Sequence, residues 1–186
     1  MESAPSQSVP PEPTGDVEAP LLEVRDLQVS FKMEYNTIYA VQGLNLHVRA
    51  GERVGMVGES GSGKSISALA IMQMVPSPGR ITKGEICFAG QELVGLSRKG
   101  MRRVRGGQIG MIPQNPLTSL NPVLTVEDHF QEVLSLHIGL NKEQGRARTI
   151  DLLRSVGIPD PATRMGAYPH RLRGGQRQRV MIAMAM

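Results

Sequence analysis

A mixed α/β fold is predicted from three observations on the sequence. Two segments near the start alternate apolar and polar residues. A short apolar run then leads straight into a glycine-rich turn and an apolar stretch of helical period. From about residue 114 onward nearly every segment favours helix. The expected architecture is an α/β core over residues 21–113, whose mixed sheet begins with antiparallel strands. A helical subdomain follows over 114–175, and a further helix starts at 176.

Each element rests on its own pattern. Residues 1–20 hold five prolines, four acidic residues and no Lys or Arg. Such a segment lacks the apolar surface to offset the entropy of ordering, and a disordered tail is expected. Residues 21–31 place Leu22, Val24, Leu27, Val29 and Phe31 in alternation, and residues 38–48 do the same through Val41, Leu44, Leu46 and Val48. Period two predicts two strands, paired antiparallel. Residues 53–57 (RVGMV) suit a buried parallel strand because they are mostly apolar and a glycine turn follows at once. Residues 65–75 predict a largely buried helix, stopped by Pro76, Pro78 and Gly79. Residues 84–88 and 108–112 predict further strands, separated by a basic stretch at 97–107. Residues 125–136, 142–156 and 176–186 predict helices. The apolar run at 180–186 reaches the last residue with no cap, glycine or polar tail, so the core is expected to lack its C-terminal part.

Composition excludes several classes. With 40% hydrophobic and 20% charged residues the chain can build a core. No Trp, three Tyr and three Phe supply few stacking platforms for single-stranded nucleic acid. The net charge of +4 suits nucleic acid, acidic lipid headgroups or nucleotide phosphates alike. Cys87 is the only cysteine, so no intrachain disulfide or cysteine-rich zinc site is possible, and a reducing compartment is expected. His47, His129, His137 and His170 have no metal-ligand spacing. No apolar run approaches the length of a membrane span, and the N-terminus does not read as a signal peptide.

Gly58, Glu59, Ser60, Gly61, Ser62, Gly63, Lys64 and Ser65 match GxxxxGK[ST], between the predicted strand and helix, where a phosphate loop lies. Glycines let the backbone wrap a polyphosphate with its amides inward, and the following helix presents its positive end to the same anion. Lys64 would reach the β and γ phosphates of ATP, and the Ser65 hydroxyl would ligate Mg2+. A plain connecting turn is the alternative, but chance produces the whole pattern in about one in a hundred such chains.

Two later segments narrow the class. The stretch MIPQNPLTSLNP at 111–122 resembles the glutamine loop of ATP-binding cassette (ABC) proteins, in the form found in oligopeptide, dipeptide and nickel importers. The resemblance implies that Gln114 touches Mg2+ and the attacking water, and that its loop meets a membrane subunit. The stretch YPHRLRGGQRQRV at 168–180 resembles the ABC signature, LSGGQ followed by a basic helix start. Two glycines opening a helix expose amides at its positive end, which suits a γ-phosphate presented by a second subunit. Arg173, Gly174, Gly175 and Gln176 would then touch the ATP of that subunit. The matching phrases cover nearly all of 21–186. In gapless register with family members, Phe31 falls where an aromatic ring stacks on adenine. Tyr35 and Tyr39 are near enough to compete, and a core role is an equal alternative for each.

The chain departs from the family pattern at Arg173, where the family has serine, at Pro113, where it has an aromatic, and at Asn115, where it has aspartate. A large cation in place of a serine predicts weakened hydrolysis. No acidic residue follows Asp160, so the Walker B carboxylates expected next are absent, and this chain by itself is expected to bind nucleotide poorly and turn over almost none. The intact subunit implied by the resemblance is an ATP hydrolase on the cytoplasmic face of the cell membrane. It pairs with a second ATPase subunit and drives two transmembrane permease subunits fed by an extracytoplasmic binding protein; peptides are the expected cargo, nickel a related option. A non-hydrolysing truncated chain is the main alternative. A DNA-associated cassette ATPase is the weaker one: its long insertions are missing between Gly63 and Gln176, and no nucleic-acid partner is expected.

Overall fold

The computed structural model describes residues 19–115 and 119–186. The expected tail lies almost wholly outside these residues, as do Pro116, Leu117 and Thr118 of the glutamine-loop segment. The chain divides into two compact units, residues 1–95 and 96–186.

The first unit is built on β1 (Leu22–Lys32), β2 (Thr37–Val48), β3 (Gly79–Phe88) and β4 (Gln91–Glu92), with helix α1 (Lys64–Ile71). The sheet order is β2-β1-β3-β4 and every pairing is antiparallel. The alternation expected for the first two strands is realised, with Leu22 opposite Val48 and Phe31 opposite Ile38. Val24, Leu27 and Val29 of β1 and Ile86 of β3 are almost fully buried, and the step of three from Val24 to Leu27 crosses a register shift at Asp26, whose φ is 44°. The ladder of β1 with β3 shifts register between Arg25 and Gln28. Gly84 permits this bulge: its φ is +99°, and a Cβ there would lie 2.6 Å from the carbonyl oxygens of Arg25 and Asp26.

Two expectations for this unit are corrected. Residues 53–57 form no strand, and Val57 is 98% exposed. A central parallel strand exists only when neighbours on both sides complete its ladder. Among the described residues all strand ladders belong to β1–β4, and none reaches this run. Helix α1 is also shorter and less buried than expected, with Ser67 and Ala70 its buried residues. Its end is set by backbone geometry ahead of the prolines. Gln73 sits in the left-handed region (φ 52°), and the amide of Met74 bonds back to the carbonyl of Leu69 (2.7 Å), a Schellman closure.

The second unit holds helices α2 (Arg98–Val104), α3 (Val126–His137), α4 (Lys142–Ser155), α5 (Pro161–Arg164) and α6 (Gly174–Met184), with a single 3-10 turn at Pro169–Arg171. Helices α3, α4 and α6 lie where the helical periodicity places them. Their core joins Phe130 and Leu134 of α3, Leu153 of α4 and Val180 of α6 with Met165 and Leu172. Thr125 and Asp128 form a capping box at α3, and Asn141 with Gln144 forms another at α4. The expected strand at 108–112 is reduced to one isolated bridge between Arg105 and Ile109. The basic stretch at 97–107 instead contains α2. Its signals are Ser97, which caps the amide of Gly100 (3.2 Å), and the buried pair Met101 and Val104 at helical spacing.

Candidate functional site

The glycine loop occupies the start of α1. Gly63 is the residue before the helix and has φ +88°, a conformation that an L side chain rarely adopts. A Cβ there would also run into the carbonyl oxygen of Ala40, so the loop seats against β2 only with glycine at this position. A Cβ on Gly58 would lie 2.7 Å from Ser62 Oγ. The loop can therefore close tightly, as wrapping a phosphate requires.

Lys64 lies within the loop's own ring of oxygens. Its ammonium donates to the carbonyl oxygens of Gly58 and Glu59, both at 2.6 Å, and to Ser62 Oγ at 3.0 Å. All three donors are thus spent on neutral oxygens of the loop itself. A phosphate would offer charged acceptors in their place, and charge-assisted bonds are roughly twice as strong as neutral ones. Ser65 is exposed, in the first turn of α1, and its hydroxyl has no hydrogen-bond partner among the described residues. The hydroxyl of Ser67, in contrast, is committed to the carbonyl of Gly63 (3.0 Å).

Beside the loop lies a concavity of about 610 Å³, lined by Gly61, Ser62 and Lys64 and, from β2, by Tyr39 and Val41 among others. Tyr39 is 56% exposed and takes part in the lining. Phe31 does not: its ring packs on Gly79, where a Cβ would lie 2.5 Å from Phe31 Cε1. Tyr35 is 92% exposed and also lies outside the lining.

In the second unit Gln114 is exposed, in a bend. The carbonyl of its neighbour Asn115 accepts from Ser119 Oγ (2.8 Å). Further along, His129 is buried and engaged on both ring nitrogens: Nε2 accepts from the amide of Asn121 (2.9 Å), and Nδ1 lies 2.7 Å from the carbonyl of Thr125. It braces the end of the glutamine-loop segment on α3, a role that sequence spacing does not reveal.

The glycine pair of the signature-like segment opens α6. Arg173 is the residue before the helix, and its amide donates to Gln176 Oε1 (3.1 Å). Gly174 and Gly175 are exposed, and a Cβ on either would meet nothing within 4 Å. Nothing among the described residues requires glycine there, although glycine weakens a helix. The segment is nonetheless held firmly. Leu172 is buried, and Arg177 reaches back with Nε to the carbonyl of Pro169 (2.7 Å). Tyr168 and His170 stack with ring centroids 5.7 Å apart. Arg177 is a brace that motif reading passes over as part of a basic face.

The ABC transporter family matches residues 41–186. The oligopeptide transport ATP-binding protein OppD of Bacillus subtilis is 50% identical over 167 residues, 89% of this chain and 47% of the relative. The dipeptide transport ATP-binding protein DppD of Escherichia coli is 50% identical over 166 residues, 89% of this chain and 51% of the relative. The chain spans about half the length of these curated relatives. A solved ATP-binding cassette, in a dimeric post-hydrolysis state bound to ADP and Pi, superposes with a TM-score of 0.79 at 28% identity, covering 89% of this chain and 68% of that one. That likeness gives the chain the α/β cassette fold, present here in part. Since the matched stretch covers most of the chain and takes in both the glycine loop and the whole of α6, the chain belongs to the ABC transporter family.

Proposed function

We propose that this chain serves as the ATP-binding subunit of a peptide importer, and that its phosphate loop grips ATP. The observation that carries the reading is Lys64, whose three donors are held by the loop's own oxygens at the head of α1, beside an open concavity. Tyr39 in that lining offers a ring for a base, so on geometry it rivals Phe31. The free Ser65 hydroxyl fits a Mg2+ ligand. When bound, the ion supplies charge neutralisation at the β and γ phosphates.

The bare glycine pair at α6 supports a second contact. A position that is glycine without internal need suits the close approach of something outside the chain, and the head of α6 favours an anion. We assign Arg173, Gly174, Gly175 and Gln176 to the γ-phosphate held by a second ATPase subunit, as in a dimeric cassette. The relatives are peptide transport ATP-binding proteins, which supports peptide uptake; two permease subunits and a peripheral place at the cytoplasmic face of the membrane belong to the same proposal. Among the described residues no helix is long and apolar enough to cross a membrane. Hydrolysis and transport belong in this proposal to proteins of the relatives' full length.

Equilibrium dialysis of the chain against labelled ATP tests the grip. Lys64→Ala is expected to weaken binding at least tenfold while the circular dichroism spectrum stays unchanged. Equal affinity in the variant and the parent chain would remove the phosphate loop as the site.

A further inference from the structure

The basic stretch of the second unit is unused by the nucleotide chemistry. Arg98, Lys99, Arg102, Arg103 and Arg105 fall within eight positions, and no Asp or Glu occurs between Glu92 and Glu127. Helix stability explains only part of this. Arg102 and Arg103 occupy the last turn of α2 and complement its negative end, but Arg98 and Lys99 open the helix, where the dipole opposes a cation. Arg98, Lys99, Arg102 and Arg103 are all exposed, and among the described residues none of the four forms an ion pair.

Two of these cations border a hollow. Arg102 and Arg103, with Gly107, Gln108, Leu136 and His137, line a concavity of about 330 Å³. Two glycines shape it. A Cβ on Gly106 would lie 2.7 Å from His137 Nε2, and one on Gly107 would lie 2.7 Å from the carbonyl of Arg103. The imidazole therefore lies directly against the turn. Leu136 in the lining is 57% exposed, and Ile138, two residues on, is 61% exposed.

We propose that this hollow seats the phosphate of an anionic phospholipid headgroup. The planar guanidinium forks of Arg102 and Arg103 match phosphate oxygens, and the Gln108 side chain is a further donor beside them. Cations alone would serve a soluble phosphate equally well. Exposed aliphatic side chains next to the cations suit a bilayer interface, where they enter the acyl boundary while the charges meet the headgroups. The inference adds a direct lipid contact to the peripheral location proposed above and is separable from it, since attachment through permease subunits needs no lipid.

Co-sedimentation of the full chain with phosphatidylglycerol vesicles, and with phosphatidylcholine vesicles in parallel, tests the proposal without any nucleotide. Binding is expected for the anionic vesicles only, and it should weaken as salt rises. At roughly one factor of five per interfacial cation, Arg102→Gln with Arg103→Gln should bind about thirtyfold more weakly. Arg49→Gln with Arg80→Gln, which makes the same change in net charge elsewhere, should bind like the parent. Leu136→Ser with Ile138→Ser should bind several-fold more weakly at unchanged charge. The proposal is overturned by indifference to anionic vesicles, by equal loss in both arginine pairs, or by inorganic phosphate binding at Arg102 and Arg103 in a chain that ignores vesicles.

Discussion

At the scale of single residues, Thr125 and Asp128 show how one short side chain sets the start of a helix. Thr125 Oγ1 accepts from the amide of Asp128 (3.2 Å), while Asp128 Oδ2 accepts from the amide of Thr125 (2.9 Å) and from its hydroxyl (2.6 Å). The hydroxyl bond and then the amide bond hold the Asp128 carboxyl below its ordinary pKa. A depressed carboxylate stabilises the fold above the unfolded value, near pH 4, and loses that contribution as pH falls through the folded value. Asp128 is well solvated, so the effect is small. Thr125→Ala is expected to cost about 1 kcal/mol in denaturant unfolding at pH 7. The gap should narrow below about pH 4, because the parent loses the carboxylate half of the box there. The same unfolding curves at pH 7 and pH 3 check both statements. Neither His129 nor Arg177 was legible as a brace, because each acts on backbone carbonyls or amides that no side-chain motif encodes.

At the scale of elements, α6 has an unsuitable cap residue. The guanidinium of Arg173 has donors only, so it cannot accept from the free amides at the helix start, and it adds positive charge to a positive end. Arg173→Ser supplies the missing acceptor and is expected to stabilise the chain by about 1 kcal/mol, read as a higher denaturant midpoint. In a full-length version the same change should raise the steady-state ATPase rate. The run at 53–57 makes the opposite point. Its composition is that of a buried strand, yet a strand is a property of its neighbours and not of its own residues. Hydrogen exchange should find the amides of 53–57 unprotected while those of Val24, Leu27 and Val29 exchange slowly. Slow exchange at Val57 would mean that the run is paired after all. The apolar run at 65–75 outlasts α1 for a related reason: the Schellman closure at Gln73 is a backbone event, and nothing in the side chains near Gln73 announces it as the prolines do.

At the scale of the whole molecule, each unit has its own core, one on β1 and one around Phe130. Phe130 is 1% exposed and joins α3 to the rest of the second unit's cluster. Phe130→Ala should cost about 3–5 kcal/mol, a loss large enough to unfold that unit under mild denaturant. Circular dichroism of the variant across a urea series checks this.

Taken by itself, the sequence determined what depends on near neighbours. The alternation of β1 and β2, the helical period of α3, α4 and α6, and the glycine loop ahead of Lys64 are all local patterns, readable because side-chain period and φ preference act over a few residues. The candidate site residues are legible over the same short range, since the glycine loop and the signature-like glycines are each contiguous. Tertiary structure alone decided what depends on residues far apart. It left 53–57 without a strand partner, brought Tyr39 and not Phe31 into the lining of the concavity beside the glycine loop, and placed His137 against Gly106 beside two arginines. In each case the deciding partner lies many positions away, and packing over that distance leaves no period in the chain.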